Sequence, residues 1–169
     1  YIKMGLAKAT KSNPPETEEL DVTKTILVLG GGFTGMNAAL YAAKMGHDVV
    51  IVEKDGKLGG KAADMYKTFP LAAPYTEAQD TGVEALGKEV ESNAAIKVMT
   101  GSTVNELKGA PGQYTAVIKT ASGNEEVPVG SVVLATGWVP SESSYLAPMG
   151  YGKFKNVVTA WDLEEMVKK

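Results

Sequence analysis

The chain has 169 residues and a formal net charge of −3, enough for one ordinary domain with a sizeable core. Its acidity and pI of about 5.3 exclude nucleic acid as the expected partner, because phosphate binding needs a clustered excess of positive charge. All 17 basic residues are lysine and cysteine is absent, so there is no guanidinium to grip a 2′-phosphate and no ligand for an iron–sulfur cluster or thiol chemistry.

The first residue is Tyr1 rather than Met, which reads as a fragment of something longer or a processed product. Residues 1–20 read as an arm and a linker: Ile2, Leu6 and Ala9 share a weakly helical spacing, and Ser12-Asn13-Pro14-Pro15 interrupts it. A single domain is expected over residues 21–169. The run Thr25–Leu29 is short, apolar and β-branched, as suits a parallel strand buried on both faces. Gly30-Gly31-Gly32 ends it. A helix is predicted over Phe33–Met45, stopping at Gly46, and a second strand over Asp48–Glu53. Together they form a β-α-β unit, whose crossover is right-handed and forces a parallel sheet.

Residues Lys54–Ala73 read as loop with one short helix, Thr76–Ser92 as a helix and Ile96–Met99 as a strand. Three antiparallel segments follow at Thr103–Leu107, Tyr114–Thr120 and Glu125–Val129, separated by Gly-containing turns. Val132–Ala135 reads as another buried strand, Val157-Val158 as a short strand and Trp161–Lys168 as an amphipathic helix. The fold class expected is therefore α/β and Rossmann-like, with a central parallel sheet and an antiparallel β-meander insertion. No apolar run approaches the ~20 residues of a bilayer span and no signal-peptide pattern opens the chain, so a cytoplasmic protein without direct membrane insertion is expected.

The stretch Gly30-Gly31-Gly32-Phe33-Thr34-Gly35 fits G-x-G-x-x-G and lies between a predicted strand and a predicted helix, the context that gives the motif its meaning. Gly30 permits the tight turn, Gly32 lets backbone amides approach a diphosphate, and Gly35 lets the helix lie close on the strand. The helix start, at Phe33 and Thr34, supplies free N–H groups and a partial positive charge to an anion. Glu53 ends the second strand, where its carboxylate can accept from ribose hydroxyls and would repel a 2′-phosphate. The plainer reading, a turn with a solvated strand end, does not account for strand, glycines, helix and acid together. FAD and NAD both use such a unit, so the choice between them needs residues elsewhere.

Those residues are Glu53-Lys54 followed by Gly59-Gly60-Lys61, and Val133-Leu134-Ala135-Thr136-Gly137. Here the sequence resembles the two-dinucleotide-domain flavoproteins, whose FAD domain carries an E-K-x-x-x-x-G-G stretch and a strand ending A-T-G. The resemblance implies FAD as cofactor, a place on the flavin side for Gly60 and Lys61, closure of the site by Ala135, Thr136 and Gly137, and backbone contact to adenine by Val104. The stretches LGGKAADMYKTFP, APYTEAQDTGVEAL, VLATGWVP and YGKFKNVVTAWDLEEM further resemble the A subunit of heterodisulfide reductase and, more closely, the A and B subunits of the quinone-interacting membrane-bound oxidoreductase. That resemblance runs from about Thr23 to the C-terminus. It implies an electron-relaying flavoprotein subunit of anaerobic sulfur metabolism, with other redox subunits as partners and a peripheral place at the membrane through a quinone-reactive one.

Two departures qualify the transfer. Thr68-Phe69-Pro70 is followed by LAAPYTEAQ, without the cysteines that the A subunit of heterodisulfide reductase places there, which favours the B subunit. No Gly-Asp pair occurs in the chain, so the motif that meets the flavin ribityl in full-length relatives is missing, and the chain is expected to hold part of a flavin site. The competing readings are a non-catalytic nucleotide-binding or assembly module and an NAD-binding domain. His47, in the turn at the opposite end of the sheet, reads as an exposed turn residue, and Lys54, Lys57 and Lys61 as solvated side chains, or as contacts to a diphosphate or an electron-carrier partner. Trp138 is expected at the flavin or packed on the sheet edge, and Tyr66 and Tyr75 as donors near the site without an assigned role.

Overall fold

The computed structural model describes residues 1–13, 21–70 and 72–168; the part of the linker reading that covers 14–20 lies outside them. Four short strands, β1 (Ile26–Leu29), β2 (Val49–Val52), β3 (Ile96–Met99) and β7 (Ser131–Leu134), form a parallel sheet in the order β3-β2-β1-β7. Helix α2 (Phe33–Lys44) makes the crossover from β1 to β2, and α3 (Val83–Ser92) the one from β2 to β3. Three longer strands, β4 (Thr103–Ala110), β5 (Gln113–Thr120) and β6 (Gly123–Val129), make an antiparallel meander inserted between β3 and β7. Helix α1 (Ile2–Lys11) has no buried residue, and α4 (Ala160–Lys168) ends the chain.

The architecture follows from the two-residue period of strands. Because neighbouring side chains on a strand point to opposite faces, Val28, Val49 and Ile51 meet Met36 and Ala39 of α2 and Val83 and Val90 of α3 in one core. Leu27, Val50 and Val52 meet Ala116, Ile118 and Val129 of the meander in the other. The parallel sheet is thus the middle of three layers, and its inner strands are apolar at every position because both faces are covered. Helix α2 starts at Gly32 and ends with Gly46 at φ 87, a left-handed conformation that glycine adopts without strain.

Four expectations of the fold need correction. Strand β7 is not buried: it lies at the edge of the sheet, with Ser131 and Leu134 exposed and Val132 and Val133 half-buried. The third helix begins at Val83 rather than Thr76. Upstream, Thr68 and Gln79 exchange backbone hydrogen bonds of 2.8 Å, the Asp80 carboxylate accepts from the Gly82 amide at 2.7 Å, and Gly82 sits at φ 68. Those local bonds take the backbone out of the helical region until Gly82 has been passed. Val157 and Val158 form no strand: the segment after Gly150 is a succession of turns, with the Lys153 and Phe154 amides donating to the Gly150 carbonyl and Val157 to that of Phe154. His47 is half-buried rather than exposed, its Nδ1 3.0 Å from the Lys24 carbonyl oxygen.

Among the described residues no helix is long and apolar enough to cross a membrane. Ile51 is fully buried at the centre of the sheet; Ile51→Ala is expected to cost about 2–5 kcal/mol of unfolding free energy. Leu107→Ala, at a largely exposed position on β4, should stay within about 0.5 kcal/mol. Urea denaturation of the two variants checks the ordering.

Candidate dinucleotide site

The turn from β1 into α2 is built by steric exclusion. A Cβ at Gly30, which has φ 107, would run into the carbonyl of Ala135, and a Cβ at Gly35 into the carbonyl oxygen of Gly30. Gly31 is equally enclosed, with Leu58 and Glu53 where its Cβ would be. Gly32 differs: among the described residues beyond its chain neighbours, a Cβ there would come no nearer than 4.0 Å to any atom, the nearest being Gly60 Cα. The space beside Gly32 is therefore not filled by protein, and glycine keeps it open to a ligand.

Glu53 fixes this turn. It is 5% exposed, its Oε2 accepts from the Gly31 amide at 2.6 Å and its Oε1 from the Asp55 amide at 2.8 Å. Each carboxylate oxygen has a second lone pair, so both can still accept a ribose hydroxyl. The Glu53 backbone is held as firmly, its amide donating to Met99 and its carbonyl accepting from Ser102. No side chain caps α2, which leaves its first-turn amides to an acceptor from outside the helix.

These groups share an open cleft of about 560 Å³. Of the residues expected from sequence, Gly30, Gly32, Phe33, Thr34, Glu53, Lys54, Gly60, Lys61, Ala135, Thr136 and Gly137 line it. Gly35 lies behind it, packed under Gly30. Val104 is not in the lining; it is half-buried and packs on the core between sheet and meander. Gly60 opens a single 3₁₀ turn, Gly60–Ala63, and the preceding Gly59 bridges Gly32 in parallel, its amide donating to Gly31. This brings Gly60 against the glycine turn, with Lys61 beside it in the cleft lining. A neighbouring cleft of about 470 Å³, between α3 and residues 57–66, contains no member of the glycine turn.

Trp138 lines the cleft, and its ring centroid is 5.6 Å from that of Trp161, the second residue of α4. Sequence reasoning missed Trp161. One local signal was available: Thr159-x-x-Asp162 is a capping box that fixes where α4 begins. The Asp162 Oδ2 accepts from both the amide and the hydroxyl of Thr159 at 2.7 Å, and the Asp162 amide donates to Thr159 Oγ1 at 3.1 Å.

The Thr159 hydroxyl, and after it the Thr159 amide, hold the Asp162 carboxyl below its ordinary pKa. A carboxyl depressed in the folded state stabilises above the ordinary value of about 4 and loses that contribution as pH falls through the folded value. The near-ultraviolet circular dichroism of the paired indoles should therefore weaken in acid below about pH 4. In Asp162→Asn the signal should start lower and show no such step; a step that survived the substitution would assign it to another group.

With the geometry in place, comparison with known proteins gives one consistent answer. The family model described as pyridine nucleotide-disulphide oxidoreductase matches residues 5–155. Form 2 of the iron-sulfur A subunit of the CoB–CoM heterodisulfide reductase of Methanopyrus kandleri is 36% identical over 121 residues, 70% of this chain and 17% of that protein. A protein of Archaeoglobus profundus, named for its likeness to the A subunit of heterodisulfide reductase, is 32% identical over 118 residues, 70% of this chain and 16% of that protein. The chain thus spans a small part of the length of these relatives. Among solved structures, the L-proline dehydrogenase from P. horikoshii superposes with a TM-score of 0.54 at 23% identity, over 72% of this chain and 24% of that one. The thioredoxin reductase of Lactococcus lactis gives 0.54 at 18% identity, over 74% and 41%. These likenesses confirm the fold, and the family match supports FAD as cofactor. By sequence and by fold, the chain belongs to the pyridine nucleotide-disulphide oxidoreductase family.

Proposed function

We propose that this chain is the FAD-binding portion of an oxidoreductase subunit that relays electrons in a heterodisulfide-reductase-like complex. The observation that carries the reading is the pairing of an enclosed glycine turn, open only at Gly32, with the buried carboxylate of Glu53. When bound, FAD supplies the redox step itself. The protein's part is to bind and orient. Gly32 and the first-turn amides at Phe33 and Thr34 receive the diphosphate, and Lys61 adds positive charge at the same end. Glu53 holds the adenosine ribose through the lone pairs that Gly31 and Asp55 leave free. Ala135, Thr136 and Gly137 close the far side, next to Trp138. No side chain is assigned as acid or base.

The finer reading places the parent protein nearest the B subunit of a quinone-linked complex of anaerobic sulfur metabolism. What supports it is the cysteine-free run after Thr68-Phe69-Pro70 and the absence of cysteine throughout the chain. Its partners are then other redox subunits, one of them quinone-reactive and in the membrane, and its location is cytoplasmic at the inner membrane surface. The competing reading, a nucleotide-binding module that serves assembly alone, draws on the same absence of cysteine. It would be upheld if flavin in the full-length protein were neither reduced nor reoxidised by its natural partner subunits.

The assignment predicts a ligand order. In thermal-shift titration of the full-length apoprotein, FAD should stabilise most, AMP and NAD less, and NADP least. FAD at 100 times its Kd contributes about 2.7 kcal/mol. Gly32→Val should leave the unliganded melting temperature close to that of the parent and abolish the FAD shift, since a Cβ at that position meets no atom of the described residues beyond its chain neighbours nearer than 4.0 Å. Gly35→Ala should instead lower the unliganded melting temperature. A preference for NAD over FAD, or an FAD shift that survives Gly32→Val, would overturn the reading.

A further inference from the structure

Helix α4 is remote in sequence from the glycine turn, yet it meets the segment 61–66 at three points, of which Lys61 lines the candidate cleft and Ala63 and Tyr66 line the neighbouring one. The Tyr66 amide donates to Glu164 Oε2 at 2.7 Å, Lys168 Nζ donates to the Ala63 carbonyl at 2.8 Å, and Lys61 Nζ stands 5.1 Å from the centroid of the Trp161 ring. All three land on residues 61–66, the segment that supplies Lys61, Ala62, Asp64 and Met65 to the cleft. Ala62 and Ala63 of that segment pack on the helical core, whereas Lys61, Asp64, Met65 and Tyr66 are exposed, and its one regular element is the four-residue 3₁₀ turn. Helix α4 is in turn set by its capping box and by the contact of Trp161 with Trp138, which lines the cleft.

We infer that α4 is a clasp on the cofactor cleft and that Trp161 is a positioning residue which, through its indole face, holds the Lys61 ammonium where a bound dinucleotide presents its diphosphate. The inference rests on the FAD reading above and adds to it a residue and a helix that the glycine motif does not contain. An exposed lysine on a short turn samples many rotamers, and ordering it on binding costs affinity. A cation over an indole face is attracted by the ring quadrupole, most strongly for Trp among the aromatic side chains. A Lys61 already restrained by Trp161 gives up less freedom when the anion arrives. Its Nζ stays free to donate to phosphate oxygens, because a ring face takes none of its three hydrogens in the way an acceptor atom would.

A double-mutant cycle on FAD affinity in the full-length apoprotein tests this. Lys61→Met should weaken FAD binding by roughly tenfold, and Trp161→Leu, which keeps apolar bulk but has no π face, by roughly three- to fivefold. In the Trp161→Leu background, Lys61→Met should add clearly less than it does alone. Trp161→Phe should restore most of the affinity that Leu loses, which a merely space-filling role would not require. ADP, which has the diphosphate and no flavin, should lose affinity with Lys61→Met by the same factor as FAD. Additive single effects, a Leu variant equal to the parent, or an ADP affinity indifferent to Lys61 would each overturn the inference while leaving the FAD assignment standing. Failure of the unsubstituted protein to bind FAD would overturn both.

Discussion

The interaction on which the rest of the structure depends is the hydrogen bond from the Gly31 amide to the buried carboxylate of Glu53. A charged oxygen removed from water is tolerated only if it is well supplied with donors, and here the donors are backbone amides on either side of the cleft floor. One is in the turn after β1 and the other, that of Asp55, lies two residues beyond Glu53. The same residue bonds through its main chain to Met99 and Ser102. Glu53 therefore joins the ends of β1, β2 and β3 at a single point, and the glycine turn is held by charge-assisted bonds as well as by packing.

Around that point the glycines divide the work. Three of the four in the turn are glycine because protein atoms occupy the place of a side chain, and Gly32 because nothing does. A glycine pattern alone does not separate these causes, yet they have opposite consequences for substitution: one kind protects the fold and the other the ligand's space. The partition also explains why the motif is so dense, since each enclosed glycine lets the next backbone segment approach.

Much of this was legible in the residues. The β1-α2-β2 unit could be read because its signals are local: β-branched runs, three successive glycines, a helix with Gly46 at its end, and an acid on the following strand. The meander was legible for the same reason, its turns falling at Pro111-Gly112 and before Gly123. The misplaced start of α3 came from the segment before it, where Asp80 and the Thr68–Gln79 pair compete with helix for the same backbone groups. The apolar pair Val157-Val158 suited a strand by composition, but the turns after Gly150 leave it no partner to pair with. Least legible was α4 at the cleft: the bonds Tyr66–Glu164 and Ala63–Lys168 join residues 98 and 105 positions apart, and nothing in a local pattern encodes such a meeting.

The four-residue strands at the centre of the molecule send alternate side chains into two separate cores. Neither core owns a strand of its own there, so the helical layer and the meander cannot melt in turn. Loosening either one strips one face of β1 and β2 and with it the register that the other face needs. The glycine turn, which follows the shared strand β1, thus rests on a strand packed into both cores rather than into one.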